Sequence, residues 1–335
     1  MDENKRAIWI SAACMLVLII IISVGSIKGA SNMVNYSGPN GIFSVSVGGK
    51  AELRNTIELP LAELKSLTTE YGSKNIYVYP SSEEKVIIKE YLYSDKQEAL
   101  ATVEKKENGE VIVRGSKTAN FVLFGFFVGE GERIEIYVPE NGIETLVIET
   151  GSGNIKSEFN YKSMGGKLSV QAGSGNITWN STTVMEAAFQ TGSGNIKLEN
   201  ITGDIVKAKT GSGNITVDKL TANAALQAGS GNITVEEFSG CGSVETNSGN
   251  VKVEVDKITG DILSKTGSGN NKLEILTDLT YTFKAKTGSG NINTEFDNEL
   301  TFNKKGNEAE GSVGTDPVHN ISMQAGSGNV KVSVK

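Results

Sequence analysis

The chain has 335 residues, 39 of them glycine, few aromatics and a net charge of −7. That length could hold two or three ordinary domains, but so much glycine points instead to a turn-rich repeat. The acidic balance argues against nucleic acid, since phosphate binding needs a basic face, and the two cysteines, Cys14 and Cys241, stand in contexts too unlike to form a disulfide framework.

The first feature in chain order is the uncharged stretch AIWISAACMLVLIIIISVGSI from Ala7 to Ile27, about the 20 apolar residues a helix needs to cross a bilayer. Lys5 and Arg6 before it and Lys28 after it favour a cytoplasmic N-terminus, with everything beyond outside. A retained single-pass anchor is the expectation. A cleaved signal peptide ending near Val24, Gly25 and Ser26 is the alternative, in which case the chain is secreted. Cys14 follows Ser11, Ala12 and Ala13 in the manner of a lipoprotein acceptor, but the long apolar run comes after it, so it is read as an ordinary membrane cysteine.

Residues 29–55 are expected to be a linker, and residues 56–150 an irregular set of first coils and a cap. Gly72-Ser73-Lys74-Asn75-Ile76, followed by Tyr-Val-Tyr, is a decayed form of the turn that dominates the rest of the chain. The run FVLFGFFV, Phe121 to Val128, is the most apolar part of the exported chain and is expected to be a buried strand or an end plug rather than an exposed patch.

From residue 151 to 335 the chain is a regular repeat. Gly-Ser-Gly-Asn recurs nine times, starting at Gly151, Gly173, Gly192, Gly211, Gly229, Asn247, Gly267, Gly288 and Gly326, with asparagine leading once. The spacing is 18 to 22 residues except for the last interval of 38, in which the segment from Phe302 to Asn320 is expected to be one coil that has lost its turn. Residues alternate on both sides of each turn, as in a strand with one buried face. The inward columns contain Ile148, Val170, Phe189, Ala208, Leu226 and Val244 before the turn and Ile155, Ile177, Ile196, Ile215, Ile233 and Val251 after it, with Ser264 and Asn271 as polar members. A second turn recurs half a period later, as in Ile201-Thr202-Gly203-Asp204 and Ile258-Thr259-Gly260-Asp261.

A single coil of this kind cannot bury its apolar face, but coils stacked about 4.8 Å apart pair every strand in parallel and share one core. The expected fold is therefore all-β, a parallel β-solenoid (β-helix) of about 19-residue coils preceded by a transmembrane helix. The turn asparagines, Asn154, Asn176, Asn195, Asn214, Asn232, Asn250, Asn270, Asn291 and Asn329, should then stack as a hydrogen-bonded ladder.

Outward residues also fall into columns, and one is acidic: Glu158, Glu199, Asp218, Glu236, Glu254, Glu274 and Glu295, beside a lysine column. Seven carboxylates could collect cations or a basic peptide, but interleaved lysines make a solvated face the simpler expectation. Calcium-binding solenoids carry carboxylates in their glycine turns, whereas the turns here carry neutral asparagine, so neither metal nor other cofactor is expected. Catalysis is not expected either. The regular repeats contain no arginine after Arg133, and the only histidine is His319, so a nucleophile-histidine-acid triad has little to work with.

The GSGNI and ITGDI turns, the Tyr137 to Pro139 strand YVP and the N-terminal anchor together resemble the bacterial putative-adhesin domain family of unknown function, over roughly Thr56 to Lys335. The resemblance implies a parallel β-solenoid on the cell surface, with some relatives encoded beside envelope-stress systems, and it brings no catalytic residues. The functional expectation is a membrane-anchored, non-enzymatic binding scaffold or adhesin with a protein or glycan ligand. The alternatives are an accessory or sensor component of an envelope-stress response and a polysaccharide-acting β-helix enzyme.

Overall fold

In the computed structural model the residues described are 34–37, 44–47, 51–116, 131–140, 143–296 and 300–335. The apolar stretch Ala7–Ile27 and the run Phe121–Val128 lie outside them, and among the described residues no helix is long and apolar enough to cross a membrane. Two short strands, Val34–Ser37 and Ser44–Val47, pair antiparallel within the stretch expected to be a linker, and the next strand starts at Glu52.

The repeats form the coils that the alternation predicts. Each coil has a leading strand before the glycine turn and a trailing strand after it, and each type stacks in parallel with its own kind. The two sets enclose a single apolar core running from Ile57 to Val332. It holds Trp179 and Phe189, with ring centroids 6.1 Å apart.

The order of the stack departs from the order of the chain at both ends. The leading strands run Glu110–Arg114, Ser66–Tyr71, Thr145–Thr150, then the later halves of the long strands from Ile155–Ala172 to Val251–Ser268, then Asn320–Ser327, and last Tyr281–Ser289. The trailing strands follow the same plan, with Arg133–Pro139 outside Asn75–Ser81 at one end and Val330–Val334 between Asn271–Ile275 and Ile292–Thr294 at the other. The last coil of the chain is therefore inserted one place inside the end of the rod.

The segment from Phe302 to Asn320 is not a degenerate coil. Leu300–Phe302 and Glu308–Val313 form an antiparallel hairpin whose second strand pairs antiparallel with Tyr281–Ser289 and covers its outer edge. The opposite end is closed in the same way, by Thr102–Lys105 on Glu110–Arg114 and by Lys85–Leu92 on Arg133–Pro139, with Glu52–Pro60 outermost. Antiparallel hairpins break the parallel template and so blunt edges that would otherwise recruit further strands. The buried Glu90 carboxylate ties one cap together by accepting from Asn55 Nδ2 at 2.7 Å and from the Ala101 amide at 2.9 Å.

A buried polar pair marks where the last coil is inserted. Asn271 Nδ2 donates to Ser264 O at 2.8 Å and to Gln324 O at 3.2 Å, and the Ser264 hydroxyl donates to Asn271 Oδ1 at 2.5 Å. An amide inside an apolar column needs those partners, and one of them belongs to the inserted coil, so these side chains fix its position and register.

The threonine preceding the turn supplies a second internal ladder. Thr191, Thr210, Thr246 and Thr266 are buried, and each hydroxyl donates to the carbonyl of the second turn glycine one coil away, at 2.7–2.9 Å. Ala172, Ala228 and Ala325 occupy the same column, so the fold accepts the loss of a rung. Thr210→Ala is expected to lower stability by about 1 kcal/mol, the usual net worth of one such hydrogen bond, which urea denaturation would measure.

Candidate functional site

The corners of the coil are built from backbone. Each turn asparagine uses Oδ1 to accept the main-chain N–H of the asparagine in the next coil: Asn176 to Asn154, Asn195 to Asn176, Asn214 to Asn195, Asn232 to Asn214 and Asn250 to Asn232, all at 2.8 Å. Asn75 is the first rung, accepting from Asn154 N at 2.9 Å. At the far end the ladder runs Asn250, Asn270, Asn329, Asn291, following the stack and not the chain. These amides are occupied in holding coils in register.

The structure splits the acidic column. Glu254 and Glu274 are registered neighbours, with Glu236, Asp218 and Glu199 continuing on one side. Ser333 registers with Glu274 and so separates it from Glu295, whose Oε2 accepts the Val334 amide at 2.8 Å. On the other side the strand of Glu158, Ile155–Ala172, is separated by Ile177–Thr191 from the strand of Glu199, Ile196–Ser212. Lysines neutralise the centre of the column: Lys252 and Lys335 each reach Glu254 at 2.8 Å, Lys272 pairs with Glu274, and Lys156 reaches Glu158 at 2.6 Å.

The Lys252 and Lys335 hydrogen bonds hold the Glu254 carboxyl down at about 2, below its usual 4.5. A lowered acid pKa stabilises the fold above the unfolded value, and that contribution is lost as pH falls through the folded one. Glu254→Gln is therefore expected to cost up to about 1 kcal/mol at neutral pH, the scale of water-screened pairs. By pH 2 the melting temperatures of the two proteins should have converged to within the error of a thermal scan.

His319 lies just before the inserted coil, and its carbonyl accepts Thr282 N at 2.9 Å. Asp261, on the neighbouring coil, accepts Asn320 N and Nδ2 at 2.8 and 3.0 Å, which lower its pKa. Cys241 is a free, half-buried cysteine at the second corner. Among the described residues no three His, Cys, Asp or Glu side chains converge as they would around a metal ion.

The outer surface departs from regular polar columns near the N-terminal end, where the Tyr-Val-Tyr alternation puts Ile76 and Val78 inward and Tyr77 and Tyr79 outward. Tyr79 registers with Tyr137, ring centroids 5.4 Å apart, and Tyr77 stacks on Tyr79 at 6.4 Å. Lys89 Nζ sits 4.6 Å from the Tyr137 ring and Arg133 Cζ 3.8 Å from the Tyr91 ring. Glu135 underlies them, accepting Arg133 Nε at 2.9 Å and the Tyr137 hydroxyl at 3.0 Å. Burial and the Glu135 carboxylate push the Tyr137 phenol up to about 12, so it stays a neutral hydrogen-bond donor. The period-two tyrosines were visible in sequence as a strand face. Their convergence with Tyr137 and Arg133 was not, because it depends on the pairing of strands far apart in the chain.

No curated protein matches the chain. Solved structures similar to it include the following three. A putative adhesin from Bacteroides fragilis NCTC 9343 is 16% identical, with 83% of this chain and 96% of that chain covered and a TM-score of 0.46. A putative lipid binding protein from Parabacteroides distasonis ATCC 8503 is 16% identical, covers 86% and 99%, and has a TM-score of 0.41. A putative cell adhesion protein from Clostridium sporogenes ATCC 15579 is also 16% identical, covers 84% and 98%, and has a TM-score of 0.23. A family model spans nearly the whole stack, from Leu64 in the first coils to Ser333 in the inserted one, and by that match the chain belongs to the Toastrack DUF4097 family.

Proposed function

We propose that the protein is a non-catalytic binding scaffold of the cell surface, held at the membrane by Ala7–Ile27, with the solenoid outside. The observation that carries this reading is the patch of Tyr77, Tyr79, Tyr137, Tyr91 and Arg133 on a sheet face. Tyrosine and arginine dominate the energetics of recognition surfaces, and a face paired on both sides holds them with little entropy left to lose on binding. The caps and side-chain ladders suit a scaffold, since they keep the rod from adding strands and hold its columns in register.

The test is binding of the full chain, reconstituted in nanodiscs, to immobilised cell-wall components and host matrix proteins. At least one should be retained, and a Tyr79→Ala/Tyr137→Ala pair should weaken that binding at least tenfold, about 1.4 kcal/mol, while the variant stays folded by circular dichroism. Retention by none of them would remove the scaffold reading, and equal binding by the variant would remove the patch.

A further inference from the structure

A second surface lies on the leading-strand side of the same corner. Arg114, Glu70, Glu149, Gln171 and Gln190 stand in one registered column, each on a different coil. They form the wall of an open groove of about 500 Å³ whose floor is the turn glycines. Glycine leaves that floor bare, and a Cβ there would press on the coil below, 2.2 Å from Gly151 O at Gly173 and 2.4 Å from Gly173 O at Gly192.

The wall divides into a committed end and a free one. Arg114 is taken up by Glu70, 3.1 Å from its Nε, and by Glu104, 2.6 Å from its Nη1. The side chains of Glu149 and Gln190 have no hydrogen bond or ion pair among the described residues, and that of Gln171 has only a 3.3 Å contact from its Nε2 to Ser169 Oγ. Three consecutive coils therefore present a carboxylate and two carboxamides to the groove with their bonding capacity almost unused.

We propose that this groove binds a linear, uncharged, hydroxyl-rich glycan lying along the rod, with successive sugar units on successive coils. Hydroxyl groups both donate and accept, as this mixture of amide and carboxylate requires. A polyanion would meet Glu149 and Glu70. An extended peptide presents same-face side chains every ~6.6 Å, out of step with coils ~4.8 Å apart, and the strands beneath are paired on both sides, which leaves no edge for its backbone. A pyranose in an extended β-1,4-linked chain advances by about one coil, and although alternate units are turned over, each carries hydroxyls on both edges of its ring, so every coil meets one. The proposal rests on the reading of the chain as a binding scaffold but not on the tyrosine patch, which lies on the other sheet.

Cellohexaose and chitohexaose, with their disaccharides, are the probes, titrated calorimetrically into the full chain in nanodiscs. A hexasaccharide should bind at least tenfold tighter than its disaccharide, and Gln171→Ala/Gln190→Ala should weaken it at least tenfold at unchanged melting temperature. Tyr79→Ala/Tyr137→Ala should leave it as it was, so loss of the patch ligand and loss of the glycan are separate results. No binding of either hexasaccharide at millimolar concentration, affinity independent of length, or indifference to the glutamine substitutions would each overturn the proposal.

Discussion

A chain ending at Asp316 should lose far more than its last coil. Strands Tyr281–Ser289 and Ile292–Thr294 pair with the body of the stack only through Asn320–Ser327 and Val330–Val334, so removing the latter unseats the former and the hairpin on it. Ile321, Met323, Val330 and Val332 are fully buried, and at roughly 1.5–3 kcal/mol for each such side chain the loss is on the order of 6–12 kcal/mol, as much as a whole domain's stability. Asn271 would also lose its bond to Gln324 O and face water inside an opened column. Hydrogen exchange should show amide protection gone from residues 281–294 and 300–313, and kept over the central coils. Protection retained at 281–294 would mean that those strands reach the stack by another route.

The second large effect is expected at the second glycine of the turn. A Cβ at Gly194 would lie 2.0 Å from Gly175 O and 2.5 Å from its carbonyl carbon, both main-chain atoms held by neighbouring coils. With nothing flexible to move, Gly194→Ala should cost about 3 kcal/mol or more, the upper range of overpacking. Gly72→Ala and Gly165→Ala, with no atom within 4 Å, should stay within about 0.5 kcal/mol. Urea denaturation of the three variants would separate steric closure from the general cost of replacing glycine. The chain already contains a related comparison: Asn247 occupies the first glycine position in one copy, whereas the second position is glycine in all nine. A Cβ at the first position would meet its neighbour at 2.2–2.5 Å, a slightly looser fit than the 1.8–2.1 Å at the second.

The candidate surfaces were less visible in the sequence than the coils that carry them. The acidic column could be traced from Glu158 to Glu295 by spacing, but one of the two lysines that hold Glu254, Lys335, approaches it and Asp256 from the inserted coil. The groove was invisible, because Arg114, Glu70 and Glu149 become neighbours only through stacking across coils that are out of chain order. The threonine ladder left a signal in the Thr-Gly-Ser-Gly-Asn runs, which composition explains equally well as turn chemistry.

The sequence by itself determined the corner, the alternation and hence the parallel stack: glycine admits the close approach of coils, a period of two assigns each side chain to core or solvent, and a turn every 18 to 22 residues sets the coil. Only the tertiary structure decided which coil lies on which. Near-identical coils present near-identical edges, so local pattern cannot rank neighbours. The choice falls to the long-range partners of a few exceptional residues, Asn271 and Ser264 at one end and the antiparallel caps at both, whose polar groups and edges are satisfied in one order of stacking.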